Sequence, residues 1–195
     1  SLHDALPIFR SPISEGSVWV IDPIDGTNNF VTQKEDFAVM VAYFEDGIGR
    51  FGLIYDVMRD HLFFGGGEFP VYRNEVELTP FVDQPLENLL IASNVGMLEK
   101  NDWGMADLGM DSLGIRVYGS AGISFSKILS GGILAYFSYI WPWDYAAAAI
   151  MGERLGYTVL NLNGDKPNYQ TVEPIMMVPK VKLTEIQTYL KKGRS

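Results

Sequence analysis

The apolar positions of this chain fall into short runs that predict strands in its first half and alternating helices and strands in its second. Val18–Ile21 is a β-branched and aromatic run, read as a buried strand. Phe37–Phe44 is a second such run, and the Glu-Asp-Gly at 45–47 marks a turn. Arg50–Val57 and His61–Phe64 follow as strands, so the first half reads as an antiparallel meander. The three glycines at 65–67 predict a loop, with short strands at Val71–Tyr72 and Val76–Leu78. They lack the following Lys-Ser/Thr of a nucleotide-binding P-loop. Asn88–Ala92 predicts a strand and Met97–Leu108 a helix. Ile115–Tyr118 predicts a strand, and Gly119–Gly132 a helix with a small-residue start and a glycine stop. Ile133–Ile140 predicts a strand. Asp144–Leu155 predicts a helix with Asp144 as N-cap, an alanine run and Gly156 as its stop. Strands at Tyr157–Leu160 and Pro174–Val178 and a helix at Thr184–Lys192 complete a layered α and β pattern.

Composition narrows the class. The chain has 195 residues, nearly half of them apolar, which is enough for one domain with a sizeable core. A net charge of −9 argues against a broad nucleic-acid surface, which needs clustered Lys and Arg. The absence of cysteine excludes disulfides and thiolate metal sites and fits a cytoplasmic protein. The most hydrophobic stretch, Gly131–Trp143, is too short and too broken by Gly and Pro to span a bilayer, so no membrane partner is expected.

Ser1–Ile8 has no periodicity. Its residues are also the translation of TCC CTA CAC GAC GCT CTT CCG ATC, part of a widely used DNA-sequencing adapter. Residues 1–8 are therefore read as an adapter artefact and 9–195 as a single truncated domain; the alternative is a native N-terminal tail. Genomic sequence encoding these residues upstream of Phe9 would overturn the artefact reading.

The candidate chemistry lies at the end of the first strand, in Asp-Pro-Ile-Asp-Gly-Thr at 22–27. Pro23 stiffens the turn that holds Asp22 and Asp25. Two carboxylates this close repel and raise each other's pKa unless a cation neutralises them. Mg²⁺ suits such a site, taking a few carboxylates, a carbonyl and water, with substrate phosphate completing its shell. Gly26 permits close backbone approach, and a helical turn opening at Thr27 would aim free N–H groups at an anion. An Asx-turn with a capping aspartate is the alternative for this stretch alone. Asp144 begins a second helix and could be a simple N-cap or a further ligand.

Together, the blocks WVIDPIDGTNNF, GSAG and WDYAAA resemble those of the inositol monophosphatase family of Mg²⁺-dependent phosphatases, in the same order and with similar spacing. The resemblance implies an α+β fold, a layered αβαβα sandwich of the inositol monophosphatase and sugar phosphatase type, here lacking its N-terminal helical layer. It implies that Asp22 bridges two metals, that the Ile24 carbonyl helps hold the first, and that Asp25 and Asp144 bind the second. Two or three Mg²⁺ per site are expected. Gly26 and Thr27 would hold the phosphate through their N–H groups, and the Thr27 hydroxyl would help place the attacking water. Asp25, Asp144, Gly119, Ser120 and Ala121 would line the substrate pocket, and Asp22, Asp25, Thr27 and Asp144 would carry catalysis. The implied substrate is inositol monophosphate or a related small phosphate ester. Alternatives are a nucleotide or sugar (bis)phosphate on the same scaffold, or a non-catalytic phosphate- or protein-binding member. A homodimer is implied for the full-length parent.

Two departures from the family pattern stand out. The family's glutamate pair, roughly twenty residues before the first motif aspartate, would fall near Leu2, inside the suspected artefact, and Glu15 is the only glutamate upstream. The chain as given is therefore expected to be impaired. Phe137 stands seven residues before Asp144, where many animal-type members carry a glutamate that contacts the inositol ring. The aromatic residues Tyr136, Phe137, Tyr139, Trp141 and Trp143 are expected in the core or at a dimer interface.

Overall fold

The computed structural model describes residues 12–192; Ser1–Ile8, including Leu2, lies outside them. Strands β1 (Ser17–Asp25), β2 (Ala38–Glu45), β3 (Ile48–Asp56), β4 (His61–Gly66), β5 (Phe69–Arg73) and β6 (Val76–Glu77) form one antiparallel sheet in sequence order. The expected meander is borne out. The glycine run does more than turn. Gly65 and Gly66 belong to β4, and Gly65–Gly67 all have positive φ, at 124°, 87° and 62°. A Cβ on Gly66 would lie 2.7 Å from the carbonyl oxygen of Ile150, so the run also lets the sheet touch a helix.

The second sheet contains β7 (Leu90–Ser93), β8 (Gly114–Arg116), β9 (Ala135–Ile140), β10 (Tyr157–Asn161) and β11 (Glu173–Pro179), in the order β10-β11-β9-β7-β8. Here β7 runs parallel to β8 and β9, while β11 is antiparallel to its neighbours. Helix α1 (Thr27–Thr32) directly follows β1. The expected helix over Met97–Leu108 is instead α2 (Val95–Glu99) and α3 (Met105–Asp111). The chain breaks between them because Asn101, Trp103 and Gly104 adopt left-handed φ of 50°, 59° and 70°. The apolar spacing there reflects two short segments that share one core, not one continuous helix.

Helices α4 (Ala121–Leu129) and α5 (Pro142–Arg154) lie between the sheets. Their Ile123, Phe125, Ala146 and Ala148 pack with Met40 and Ile54 on one side and with Tyr136 and Met177 on the other. The alanine run explains how closely α5 sits, since a Cβ on Gly52 of β3 would meet the Ala147 carbonyl oxygen at 2.5 Å. Helices α2, α3 and α6 (Leu183–Lys192) cover the far face of the second sheet, where Met97, Met105, Leu108, Ile186 and Leu190 pack on Ile91, Phe137 and Met176. The order sheet, helix pair, sheet, helices is the expected α+β sandwich.

Residues Ile21, Val41, Leu53, Phe64 and Tyr72 are cross-strand partners in one row on the outer face of the first sheet. Trp19 and Ile21 on that face are 59% and 55% exposed. No helix among the described residues is long and apolar enough to cross a membrane.

Candidate active site

The inward face of β1 carries Val18, Val20 and Asp22. In a regular strand, a residue three positions on would point to the opposite face. The register slips here: Asp22 pairs with Met40 and Asp25 with Ala38, so three steps on β1 match two on β2. This bulge turns Asp25 back to the inner face beside Asp22, with Pro23, which has no N–H to leave unpaired, inside the irregular stretch. Both aspartates are buried. The Ile24 N–H donates to Asp22 Oδ1 at 3.1 Å, closing an Asx-type turn.

Asp144 reaches the same point from α5. It is not the N-cap, as expected from sequence, but the third helical residue. Trp141 is the N-cap and Pro142 occupies the first turn, where its fixed φ suits the helix. The Trp141 N–H donates to Asp144 Oδ2 at 2.7 Å. Oxygen atoms of Asp22, Asp25 and Asp144, one from each, lie within 4.8 Å of one another.

The electrostatics of this cluster are unfavourable as it stands. Burial, partly offset by a hydrogen bond from Ser120 and reinforced by the Asp22 charge, raises the Asp25 carboxyl to about 6. Burial first, and the Asp25 carboxylate second, push Asp144 well above the ordinary carboxylate range. Two buried carboxylates and the half-buried Asp144, with oxygens converging on one point, form a donor set that fits hard divalent cations. Glu15 is exposed and stands outside this cluster.

The phosphate-side residues adjoin the carboxylates. Gly26, at φ 80°, opens α1, and no side chain caps its N-terminus. The Thr27 hydroxyl donates to the Ile24 carbonyl oxygen at 3.1 Å. This fixes its proton while its lone pairs stay available, and the carbonyl keeps its second lone pair. Gly26 also presses on α4, because a Cβ there would lie 2.9 Å from Ser120 Cβ.

Ser120 and Ala121 reach Asp25 but are 3% and 4% exposed, while Gly119 adjoins the Asn29 side chain, whose Oδ1 would lie 3.0 Å from a Cβ there. Ser120 Oγ donates to Asp25 Oδ2, and the Ala121 N–H donates to Asp25 Oδ1 at 3.2 Å. Two residues escaped the sequence reading. The Gly122 N–H donates to Asp25 Oδ2 at 2.8 Å. Buried Asn29 donates to the carbonyl oxygens of Asp36 and Tyr118, at 2.9 and 2.7 Å, and so ties α1 to the loop before α4. The Gly of GSAG and the second Asn of GTNN were visible, but only the fold reveals what they touch.

Phe137 is fully buried in the core shared with α2, α3 and α6. Tyr136 is likewise buried. Tyr139 is 44% exposed, and Trp141 stacks on Trp143 with centroids 4.9 Å apart and planes at 8°. The aromatic segment is thus core at its start and half-buried near Asp144.

Residues 6–193 match the model of the inositol monophosphatase family. An inositol-1-monophosphatase of Bacillus subtilis is 38% identical over 156 residues, covering 77% of this chain and 59% of its own length. This chain therefore spans less than two thirds of that relative. A structure of SaIMPase-II with inositol monophosphate bound superposes with a TM-score of 0.86 at 32% identity, covering 92% of this chain and 72% of that one. SaIMPase-II with 2'AMP bound gives 0.88 at 31% identity, covering 94% and 73%.

Proposed function

The chain belongs to the inositol monophosphatase family, and from that premise we propose that it is the metal- and phosphate-binding part of a Mg²⁺-dependent phosphomonoesterase. The convergence of Asp22, Asp25 and Asp144 within 4.8 Å carries the reading. Asp22 would bridge two cations, with the Ile24 carbonyl on the first and Asp25 and Asp144 on the second; two or three Mg²⁺ are proposed per site. Bound Mg²⁺ supplies a lowered pKa for the attacking water and charge neutralisation for the leaving alkoxide. The N–H groups of Gly26 and Thr27 orient the phosphate. With its proton fixed on the Ile24 carbonyl, the Thr27 hydroxyl accepts a hydrogen bond from the attacking water and aligns it for in-line displacement.

The substrate is a small phosphate ester, inositol monophosphate on this reading. The 2'AMP held by SaIMPase-II favours nucleotide monophosphates as the second reading. With Phe137 in the core, a direct contact from position 137 to the alcohol is not part of either. Residues 9–195 are proposed to be one domain whose full-length form carries a further N-terminal layer over Ile21, Val41, Leu53 and Phe64, and whose assembly is a cytoplasmic homodimer. Phosphate release from inositol 1-phosphate and from 2'AMP, each with and without Mg²⁺, tests the reading. Release independent of Mg²⁺, or none from a folded longer form, would sink it.

A further inference from the structure

We propose that the N-terminus of α4 is a positioning element for the metal centre, with Ser120 as its key side chain. The proposal rests on the metal reading above. An ionised carboxylate offers about four lone-pair positions, two on each oxygen. On Asp25 three of them are engaged: Oδ2 accepts from Ser120 Oγ and from the Gly122 N–H, and Oδ1 accepts from the Ala121 N–H. One remains, on Oδ1. Asp25 therefore offers a cation a single bond through a defined oxygen and cannot chelate it through both.

The arrangement is rigid for identifiable reasons. Ser120 is simultaneously the N-cap of α4, accepting the Ile123 N–H at 3.1 Å while donating to Asp25, so its hydroxyl has one rotamer that serves both. The N–H of residue 122 reaches Oδ2 because that residue is glycine: a Cβ would lie 3.1 Å from Oδ2 and 2.8 Å from Ala38 Cβ. Ser120 in turn abuts Gly26, so the α4 end and the turn holding Asp25 are locked together. Outer-shell donors of this kind fix ligand orientation and affect metal affinity about 10–100-fold when removed.

The test separates the donor from the cap. Ser120→Gly deletes the hydroxyl but keeps an acceptable N-cap, whereas Ser120→Thr keeps both functions. Mn²⁺ binding is measured by isothermal titration calorimetry on the whole chain, with thermal melting of the chelated chain alongside. The expected result is Mn²⁺ affinity about tenfold or more weaker for Ser120→Gly, near-parental for Ser120→Thr, and chelated melting temperatures of both within about 3 °C of the parent. Parental Mn²⁺ affinity in Ser120→Gly would overturn the positioning role while leaving the metal reading intact. A melting loss in Ser120→Gly without an affinity loss would assign Ser120 to the fold alone and would also overturn it. A parent chain that binds no Mn²⁺ would overturn the metal reading and this proposal with it.

Discussion

Asp144→Asn should stabilise the chain in the absence of metal while removing its response to metal. The substitution keeps an acceptor for the Trp141 N–H, so the first turn of α5 is retained. It removes one of three negative charges whose oxygens lie within 4.8 Å. At that separation and an effective dielectric constant near 20, one like-charge pair costs about 3 kcal/mol. Protonation sets a ceiling: keeping a carboxyl of ordinary pKa 3.8 fully neutral at pH 7 costs about 4 kcal/mol. A gain of about 2–4 kcal/mol corresponds to about 5–15 °C in melting temperature for a domain of this size. Melting is followed by circular dichroism at pH 7 in excess chelator and again with saturating Mg²⁺, which should raise the parent by mass action and leave the variant unmoved. A variant that melts at or below the parent in chelator, or that gains as much from Mg²⁺, would refute the reasoning.

Further outcomes are specific to single residues. Asp25, raised by burial to about 6, binds its proton more tightly folded than unfolded, so the chelated chain should lose up to about 3 kcal/mol as pH rises from about 4 to 6. Urea unfolding at several pH values should show that slope flattened in Asp25→Asn. Gly122→Ala should destabilise by about 1–3 kcal/mol, because the added methyl meets Ala38 Cβ at 2.8 Å, and chemical denaturation reads this directly. Phe137→Glu should unfold the chain rather than add a substrate contact, because it buries an unpaired charge in the second core; loss of the near-ultraviolet dichroism signal would report it. Ile21→Lys with Leu53→Glu, on the outer sheet face, should lower concentration-dependent light scattering with little change in melting temperature.

Much of the architecture was legible in the sequence, and the misses have local causes. The strands of the first sheet follow period-two runs punctuated by Gly and Asp turns, and they were read with small boundary errors. The helix over Met97–Leu108 failed because left-handed residues at 101, 103 and 104 break the chain without a proline to announce it. Asp144 lies three positions further into the helix than the expected N-cap because its carboxylate reaches backwards to the Trp141 N–H while Pro142 has already started the helix. The Asp-x-x-Asp spacing was readable as a paired-carboxylate turn. The bulge that puts both groups on one face was not, since nothing in the residues between them fixes how many positions β2 will match. Ser120 and Gly122 were the least legible: their partner, Asp25, lies 95 and 97 residues away, and only the packing of α4 against the first sheet brings them to it.

The most direct test of the account is phosphate release from inositol 1-phosphate by the chain extended with the N-terminal segment of the Bacillus subtilis relative, measured with and without Mg²⁺ and repeated for Asp22→Asn and Asp144→Asn. Mg²⁺-dependent release from the extended chain and its loss in both variants are the expected results. Release that persists in either variant, or that ignores Mg²⁺, would contradict them.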